Sequence, residues 1–292
     1  MANLGVCSSK WEIGTPTSAV STLRTLSEDE FKSYMDASTA LGRFARKRHL
    51  FQIVELNRDA FHDCLRTLGS EFEDDTAISW DRANTMILTV NGHILNFLSA
   101  VRTFLDHTET NIKREYGDPS DNLTNFKKQT AEEFDDCFSY RFLYLLRNFT
   151  QHCGMPLGEL SLRADARPGT ERPDTTLELL FYRDHLLTNF SNWKMVKTEL
   201  EQLEEKFPVT QHVDEMVTCL ERVDSVVIRD DAPQLSPHVA TLEAMVQEVS
   251  HLSGAPCVLT EVTPISGGVN MTLQRIQLEQ VSMVKSLLAS HT

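Results

Sequence analysis

The spacing of apolar residues between positions 79 and 116 constrains the fold more than any other feature of the sequence. Isoleucine, valine and leucine recur there at intervals of three and four residues, at Ile87, Val90, Ile94, Leu98, Val101 and Leu105. This periodicity places the apolar side chains on one face of an α-helix. Gly117-Asp118-Pro119 follows, and glycine with proline predicts a turn. We therefore expect a long amphipathic helix in a chain that is mainly α.

Further long helices are predicted on either side of this one. Ser27 followed by Glu28-Asp29-Glu30 is typical of an N-cap and an acidic first turn, and no proline occurs from there to Leu68. This segment predicts one or two long helices that end at an acidic break at 69–75. A third helix is predicted over 124–152, because a glycine and a proline follow it closely.

The second half of the chain has a different pattern. Residues 159–166 and 176–187 are rich in apolar and aromatic side chains, and the segment between them contains two prolines and a glycine. This arrangement predicts a β-hairpin with its turn at 167–174. Helical patterns return in four segments, at 192–206, 209–225, 236–252 and 271–290. The change near 158 predicts a helical domain at 1–158 and a mostly helical C-terminal region at 159–292.

Composition excludes several functional classes. The net charge of −14 argues against general electrostatic attraction to nucleic acid. No apolar stretch approaches the roughly 20 residues that a bilayer span requires, and no lipidation motif occurs. The six cysteines contain no C-x-x-C pair, so their pattern signals neither a disulfide framework nor a zinc site. We expect a cytoplasmic protein with reduced thiols and no membrane association.

Common catalytic and cofactor-binding motifs do not occur in the sequence. It lacks a phosphate-binding P-loop, a G-x-G-x-x-G turn, an H-E-x-x-H zinc motif and a G-x-S-x-G elbow. The segment ISGGVNMTLQR at 265–275 is predicted as a glycine-rich loop that leads into a helix. Such a loop could hold an anion on its backbone N–H groups, although an ordinary loop is the simpler interpretation. We expect no cofactor and no metal ion.

The helix predicted to end near Gly154 carries Arg147, Asn148 and His152 in its last two turns. Its apolar residues lie on two sides, which predicts cover by its own domain on one side and by a second element or subunit on the other. The second side carries Tyr140, Leu143, Tyr144 and Arg147. Arg147 and His152 are about 140° apart on a regular helix. Their convergence therefore requires a loosened helix end or a second copy of the helix across a two-fold axis.

Residues 147–152, with the sequence RNFTQH, resemble the R-N-x-x-x-H form of the R-x(4 to 6)-H signature of HEPN domains. These helical modules occur in bacterial toxins, phage-defence proteins and CRISPR-associated ribonucleases. The resemblance covers this motif and, loosely, the helices before it. It implies a HEPN-like helical bundle and a metal-independent endoribonuclease that acts on single-stranded or looped RNA. It also implies a homodimer in which two motifs form one cleft, and an antitoxin or regulatory partner.

The asparagine makes this motif informative. With 18 arginines and 10 histidines in 292 residues, the bare R-x-x-x-x-H spacing is expected by chance about 0.6 times. It also occurs from Arg102 to His107, and Arg43 to His49 fits the longer spacing. An asparagine directly after the arginine lowers the chance expectation to about 0.025. The candidate catalytic residues are therefore Arg147, Asn148 and His152.

The chemistry of RNA cleavage suits these residue types. Histidine transfers protons near neutral pH, and arginine is a fixed bidentate partner for phosphate. Asn148 could hold the phosphate or fix the tautomer of His152. In the structural alternative, Arg147 caps helix carbonyls, Asn148 bonds the neighbouring backbone and His152 is a hydrogen-bonded residue at a helix end. The alternative function is then a non-catalytic HEPN-like interaction or nucleotide-sensing module.

A dense basic cluster precedes these helices, at Arg43, Arg46, Lys47 and Arg48. On a helix, four cations so close together offer a second surface for RNA phosphates. A solvated helix face without a ligand is the simpler interpretation. RNA contact is therefore predicted for these four residues as the functional alternative.

Overall fold

The computed structural model describes residues 2–12, 15–72, 78–156, 158–165, 169, 174–265 and 268–290. The helices in these ranges are α1 (Glu28–Ser70), α2 (Trp80–Tyr116), α3 (Asp121–Asp136), α4 (Phe138–His152), α5 (Arg183–Asn189), α6 (Val196–Gln202), α7 (Thr210–Val249) and α8 (Leu278–Ser290). The strands are β1 (Ala2–Glu12), β2 (Thr15–Leu26), β3 (Gly158–Asp165), β4 (Asp174–Tyr182), β5 (Lys206–Pro208), β6 (Ala255–Ile265) and β7 (Gly268–Arg275). The prediction of a mainly α chain is confirmed.

These helices and strands belong to two compact units. The first unit comprises Met1–Lys47 and Ile228–Thr292, and the second comprises Arg48–Val227. Both α1 and α7 continue through the dividing residues, so each of these helices contributes to both units. The boundary predicted near 158 lies inside the second unit.

A four-stranded antiparallel sheet in the order β2-β1-β6-β7 forms the framework of the first unit. Side chains alternate across β1, so Leu4 and Val6 are buried in a core with residues of α1, α7 and α8. On the other face, Cys7 is buried with Cys257 and Leu259 of β6. The sequence patterns predict none of these strands. Two of the pairings, β1 with β2 and β6 with β7, are hairpins of adjacent segments, and only the pairing of β1 with β6 joins segments that are far apart in the chain.

The helix predicted over 271–290 begins too early. Residues 271–275 belong to β7, where Leu273 pairs with Leu259 of β6, and α8 begins at Leu278. The glycine-rich segment at 265–275 is therefore largely strand and not a loop before a helix. Its Ser266 and Gly267 lie outside the described residues.

The helices predicted at 209–225 and 236–252 are a single helix in the structure. The 40-residue α7 continues through the predicted gap at 226–235 and through Pro233 and Pro237. Ile228, Leu235 and Val239 are buried on either side of the prolines, so apolar burial on one face continues past both of them. Packing therefore outweighs the loss of the two backbone N–H donors.

The predicted β-hairpin is confirmed in the second unit, where β3, β4 and β5 form an antiparallel sheet. Most of its predicted turn at 167–174 lies outside the described residues. The strand predicted to reach 187 ends at Tyr182, where α5 begins. Around this sheet, α2, α3 and α4 pack with the second part of α1 and the first part of α7 into one apolar core.

The helix predicted over 124–152 is divided at Cys137, whose backbone is extended with φ −115° and ψ 114°. Arg141 explains this break, because its guanidinium donates hydrogen bonds to the carbonyl oxygens of Phe134 at 3.0 Å and Asp135 at 2.9 Å. These carbonyls end α3 and have no continuing helix to bond. The same guanidinium forms a two-point ion pair with Glu199 of α6, with Nε to Oε2 at 2.8 Å.

We expect Arg141→Ala to lower the free energy of unfolding of the second unit by about 2 kcal/mol, since it leaves two part-buried carbonyls and the Glu199 carboxylate without their donor. Urea denaturation followed by the fluorescence of the buried Trp193 measures this change. Lys128→Ala is the control, because the Lys128 side chain is 73% exposed. Equal stability of the two variants would contradict the assigned role of Arg141.

Candidate functional site

Aromatic packing fixes the position of α4. Phe142 and Phe149 are fully buried, and their rings stack on Trp193 at centroid distances of 5.9 Å and 6.0 Å. Phe138 stacks on Phe142 at 5.5 Å and continues the same stripe toward the start of the helix. Because large rings packed at i and i+4 hold a helix in one orientation, the polar residues at the end of α4 have defined positions.

The opposite side of α4 is also covered within the chain. Tyr140 is 2% exposed and Leu143 is 1% exposed, and both belong to the apolar core of the second unit. Of the two alternatives predicted for this face, a second element of the same chain covers these two residues, and a second subunit does not. Residues of α2 and α3 occupy the place assigned to the partner, since Phe134 and Arg102 both contact Tyr144.

The three motif residues lie where α4 reaches the surface. Arg147 and Asn148 are half-buried, and His152, the last residue of the helix, is exposed. Within the described part of the chain, none of the three side chains has a hydrogen bond or an ion pair. The helix capping and backbone bonding of the structural alternative are thus not observed. Gly154, with φ 116°, ends the helix as predicted.

The structure does not bring the three motif residues together in one chain. The helix is regular as far as His152, so Arg147 and His152 remain on different faces. No hydrogen bond joins Asn148 to His152, although both residues are described. The cation that packs on Tyr144 is Arg102 and not Arg147, with the Arg102 Cζ atom 5.3 Å from the ring centroid.

Two residues of the basic cluster form ion pairs within the chain. In the first unit, Lys47 Nζ lies 3.0 Å from Asp231 Oδ2, and both side chains are largely buried. In the second unit, Arg48 pairs with Asp224 and lies over the ring of Phe51. Lys47 and Arg48 are therefore not available as surface contacts for RNA. Arg43 and Arg46 are exposed on α1.

A buried polar chain that sequence reasoning missed lies at the start of α4. Ser139 Oγ is 2.6 Å from His212 Nδ1, and the Ser139 hydroxyl donates to Glu215. A hydroxyl has one proton, so His212 Nδ1–H donates to Ser139 in this arrangement. In a catalytic triad the histidine lies between the acid and the serine, whereas here Ser139 lies between His212 and Glu215. Ser139 is also fully buried, so this arrangement is not a catalytic triad. Burial lowers the pKa of His212, and the nearby Glu215 carboxylate partly opposes this effect.

Comparison of the chain with protein-family models, with curated proteins and with solved structures finds no match. None of the helices in the described ranges is both long and apolar enough to cross a bilayer. The described residues also contain no group of three histidine, cysteine or carboxylate side chains placed to hold a metal ion. The functional argument therefore rests on the chemistry of individual side chains.

The lowered pKa of His212 predicts a pH dependence of stability. Unfolding exposes the imidazole, which then binds a proton below its ordinary pKa of about 6.5, while the folded state keeps it neutral to lower pH. The stability that this group contributes is present above that pH and is lost as the pH falls, by at most about 1.4 kcal/mol per pH unit. In urea denaturation between pH 7.5 and 5.5, His212→Gln should lose less stability than the unchanged protein. The exposed His107→Gln should retain the original slope, and a matching slope in His212→Gln would refute the assignment.

Proposed function

We propose that the protein is a metal-independent endoribonuclease of HEPN type, with Arg147, Asn148 and His152 at its catalytic site. One observation carries the proposal: the last two turns of α4 present these side chains without a polar partner among the described residues. An arginine that is half-buried and unpaired retains its full set of donors for an anion. The resemblance of the motif to HEPN domains supplies the class of substrate, which is RNA.

The roles follow from the chemistry of the reaction. Cleavage without a metal requires a base that removes the proton from the 2′-OH, an acid for the leaving oxygen and positive charge on the phosphorane. His152 supplies proton transfer, and its exposed position at the end of α4 leaves it open to a strand of RNA. Arg147 stabilises the charge on the phosphorane as a bidentate donor. Asn148, on the same turn as Arg147, adds a donor for a phosphate oxygen.

A second copy of the chain completes the site. Because Arg147 and His152 lie on different faces of a regular helix, one chain cannot direct both at the same phosphate. Two copies related by a two-fold axis can place the arginine of one beside the histidine of the other. The exposed residues Gln151 to Met155 at the end of α4 form the surface that is free for this contact.

We expect purified protein to cleave total RNA in EDTA and to leave fragments that end in 2′,3′-cyclic phosphate. Arg147→Ala and His152→Ala should each lower the rate about a hundredfold or more, as the loss of a charge-stabilising donor or a general base does. Their melting temperatures should stay close to that of the unchanged protein, because neither side chain has a hydrogen bond or ion pair to lose within the described ranges. His107→Ala and His49→Ala, at the two other arginine-histidine spacings, should retain the rate. Absence of cleavage over a broad set of RNAs would refute the proposal and favour an interaction module.

We also expect the protein to be a dimer at micromolar concentration, with about twice the chain mass of 33.1 kDa in light scattering. Met155→Asp should give folded monomers and reduce cleavage, because it places a charge in the contact between the two helix ends. Met195→Asp is the matched control, since Met195 is 55% exposed and lies directly before α6, in a different part of the second unit. A cleaving monomer would eliminate the two-copy site.

A further inference from the structure

A cavity of about 430 Å³ opens between α2, α3 and α4 in the second unit. Its volume falls within the range of small-molecule sites. Aromatic rings form much of the lining, at Phe126, Phe134, Tyr140 and Tyr144. Its main charged groups are Arg102, Asp106, Glu109 and Asp135.

The aromatic rings form a corner with defined geometry. Phe134 is nearly perpendicular to both tyrosines, at 87° to Tyr140 and 89° to Tyr144, with centroids 6.5 Å and 6.1 Å apart. Tyr140 is 2% exposed, so its ring cannot move away from this position without disturbing the core. Walls of this kind accept a flat aromatic ligand that stacks on one ring and meets the other by its edge.

Most charges around the cavity are already paired. Arg102 Nε donates to Asp106 at 2.7 Å, and its Nη1 donates to the Tyr144 hydroxyl. Glu109 lies 2.9 Å from Lys113 and 3.6 Å from Lys127, and the Lys113 hydrogen bond lowers the pKa of the Glu109 carboxyl. The resident guanidinium disfavours a cationic ligand on Tyr144, and the carboxylates disfavour an anion in the cavity itself.

Three polar groups remain for a ligand. Three of the five N–H donors of Arg102 have no partner among the described residues. Within the same ranges, the Tyr140 hydroxyl makes no hydrogen bond. The exposed Asp135 carboxylate makes none either, and it lies close enough to the Arg141 guanidinium for its charge to add to the Glu199 hydrogen bond that raises the pKa of that group. The cavity thus offers guanidinium donors from α2, a carboxylate acceptor from α3 and aromatic rings from α3 and α4.

Guanine matches this set better than any other nucleobase. Its O6 and N7 atoms accept hydrogen bonds from arginine, which is the commonest specific contact to this base. Its N1–H and N2–H groups point the same way and can both donate to one carboxylate. Adenine offers only its amino group to a carboxylate, and the pyrimidines have less surface for stacking.

The cavity lies next to the proposed catalytic arginine. Tyr140, Tyr144 and Arg147 share one face of α4, and Arg147 is about 4.5 Å beyond Tyr144 along the helix axis. A base and its phosphate are separated by one sugar, so a nucleotide can span from the cavity to Arg147. Protein sites for single-stranded RNA commonly hold an unstacked base between aromatic side chains in this way.

We infer that the cavity bounded by Arg102, Asp135, Tyr140 and Tyr144 binds a guanine base. Its use during cleavage rests on the proposed ribonuclease function, in which it holds the guanine beside the phosphate that Arg147 contacts. The binding of a free guanine nucleotide does not depend on that function. The cavity therefore gives the protein a base preference that the catalytic motif alone cannot supply.

Isothermal titration calorimetry of the full chain with GMP, AMP, CMP and UMP tests the assignment. GMP should bind at least about tenfold more tightly than the other three nucleotides. Asp135→Asn should weaken GMP binding about tenfold, because an amide presents its own donors to N1–H and N2–H. Asp136→Asn is the matched control, since it removes the same charge from the next exposed residue, which does not line the cavity, and should leave GMP binding unchanged. Arg102→Lys, which keeps the charge but loses the planar fork, should also weaken GMP binding.

A second experiment tests whether the cavity binds a guanine that is part of an RNA chain as well as a free guanine nucleotide. Fragments from a random RNA pool should be enriched for guanine next to the cleaved bond, and Asp135→Asn should reduce the enrichment while Asp136→Asn retains it. Cleavage without GMP binding or guanine enrichment would overturn the assignment and leave the ribonuclease proposal standing. GMP binding without any cleavage would support the cavity and refute the ribonuclease. Binding of choline in place of all four nucleotides would show an organic-cation site and overturn the assignment to guanine.

Discussion

Phe142, Phe149 and Trp193 hold α4 in the core of the second unit, and the polar surfaces of this unit depend on that packing. The rings bury one side of the helix, while Tyr140 and Leu143 bury the other. A helix held on both sides cannot rotate to present a different residue. The end of α4 is therefore a rigid support for Arg147 and His152, and the wall that α4 gives to the aromatic cavity is rigid for the same reason.

The sequence predicts α1 and α2 well because their signals are local. Ser27 and Glu30 cap α1 reciprocally, with Glu30 Oε2 2.7 Å from Ser27 N, and the spacing in 79–116 is that of α2. The pairing of β1 with β6 could not be predicted in this way, since it joins distant segments, whereas the hairpins β1–β2 and β6–β7 are local and were missed. The break at Cys137 is equally hidden, because its cause is the side chain of Arg141 and not a glycine or a proline.

In the candidate site too, features with a local sequence signal could be predicted and features that depend on distant residues could not. The RNFTQH motif and its position before Gly154 can be found in the sequence alone, and α4 does end there. The partners of Lys47 and Arg48 could not be found, because Asp231 and Asp224 lie far along the chain on α7. In the sequence, the only notable feature of Arg102 is its chance R-x-x-x-x-H spacing to His107. No sequence signal relates it to Tyr144, 42 residues later, so the aromatic cavity could be recognised only in three dimensions.

The order of the strands in the first sheet also determines which of their pairings can form first during synthesis on the ribosome. One edge of β1 can pair with β2 at once, whereas its other edge requires β6, which is synthesised only after the whole of residues 48–227. During that interval the second unit can fold from contacts within its own segment, while β1 keeps an unpaired edge. Open strand edges promote association between chains, and pairings between distant segments form slowly. Nascent chains that stall before Ala255 are therefore the form of this protein most exposed to aggregation and most in need of a chaperone.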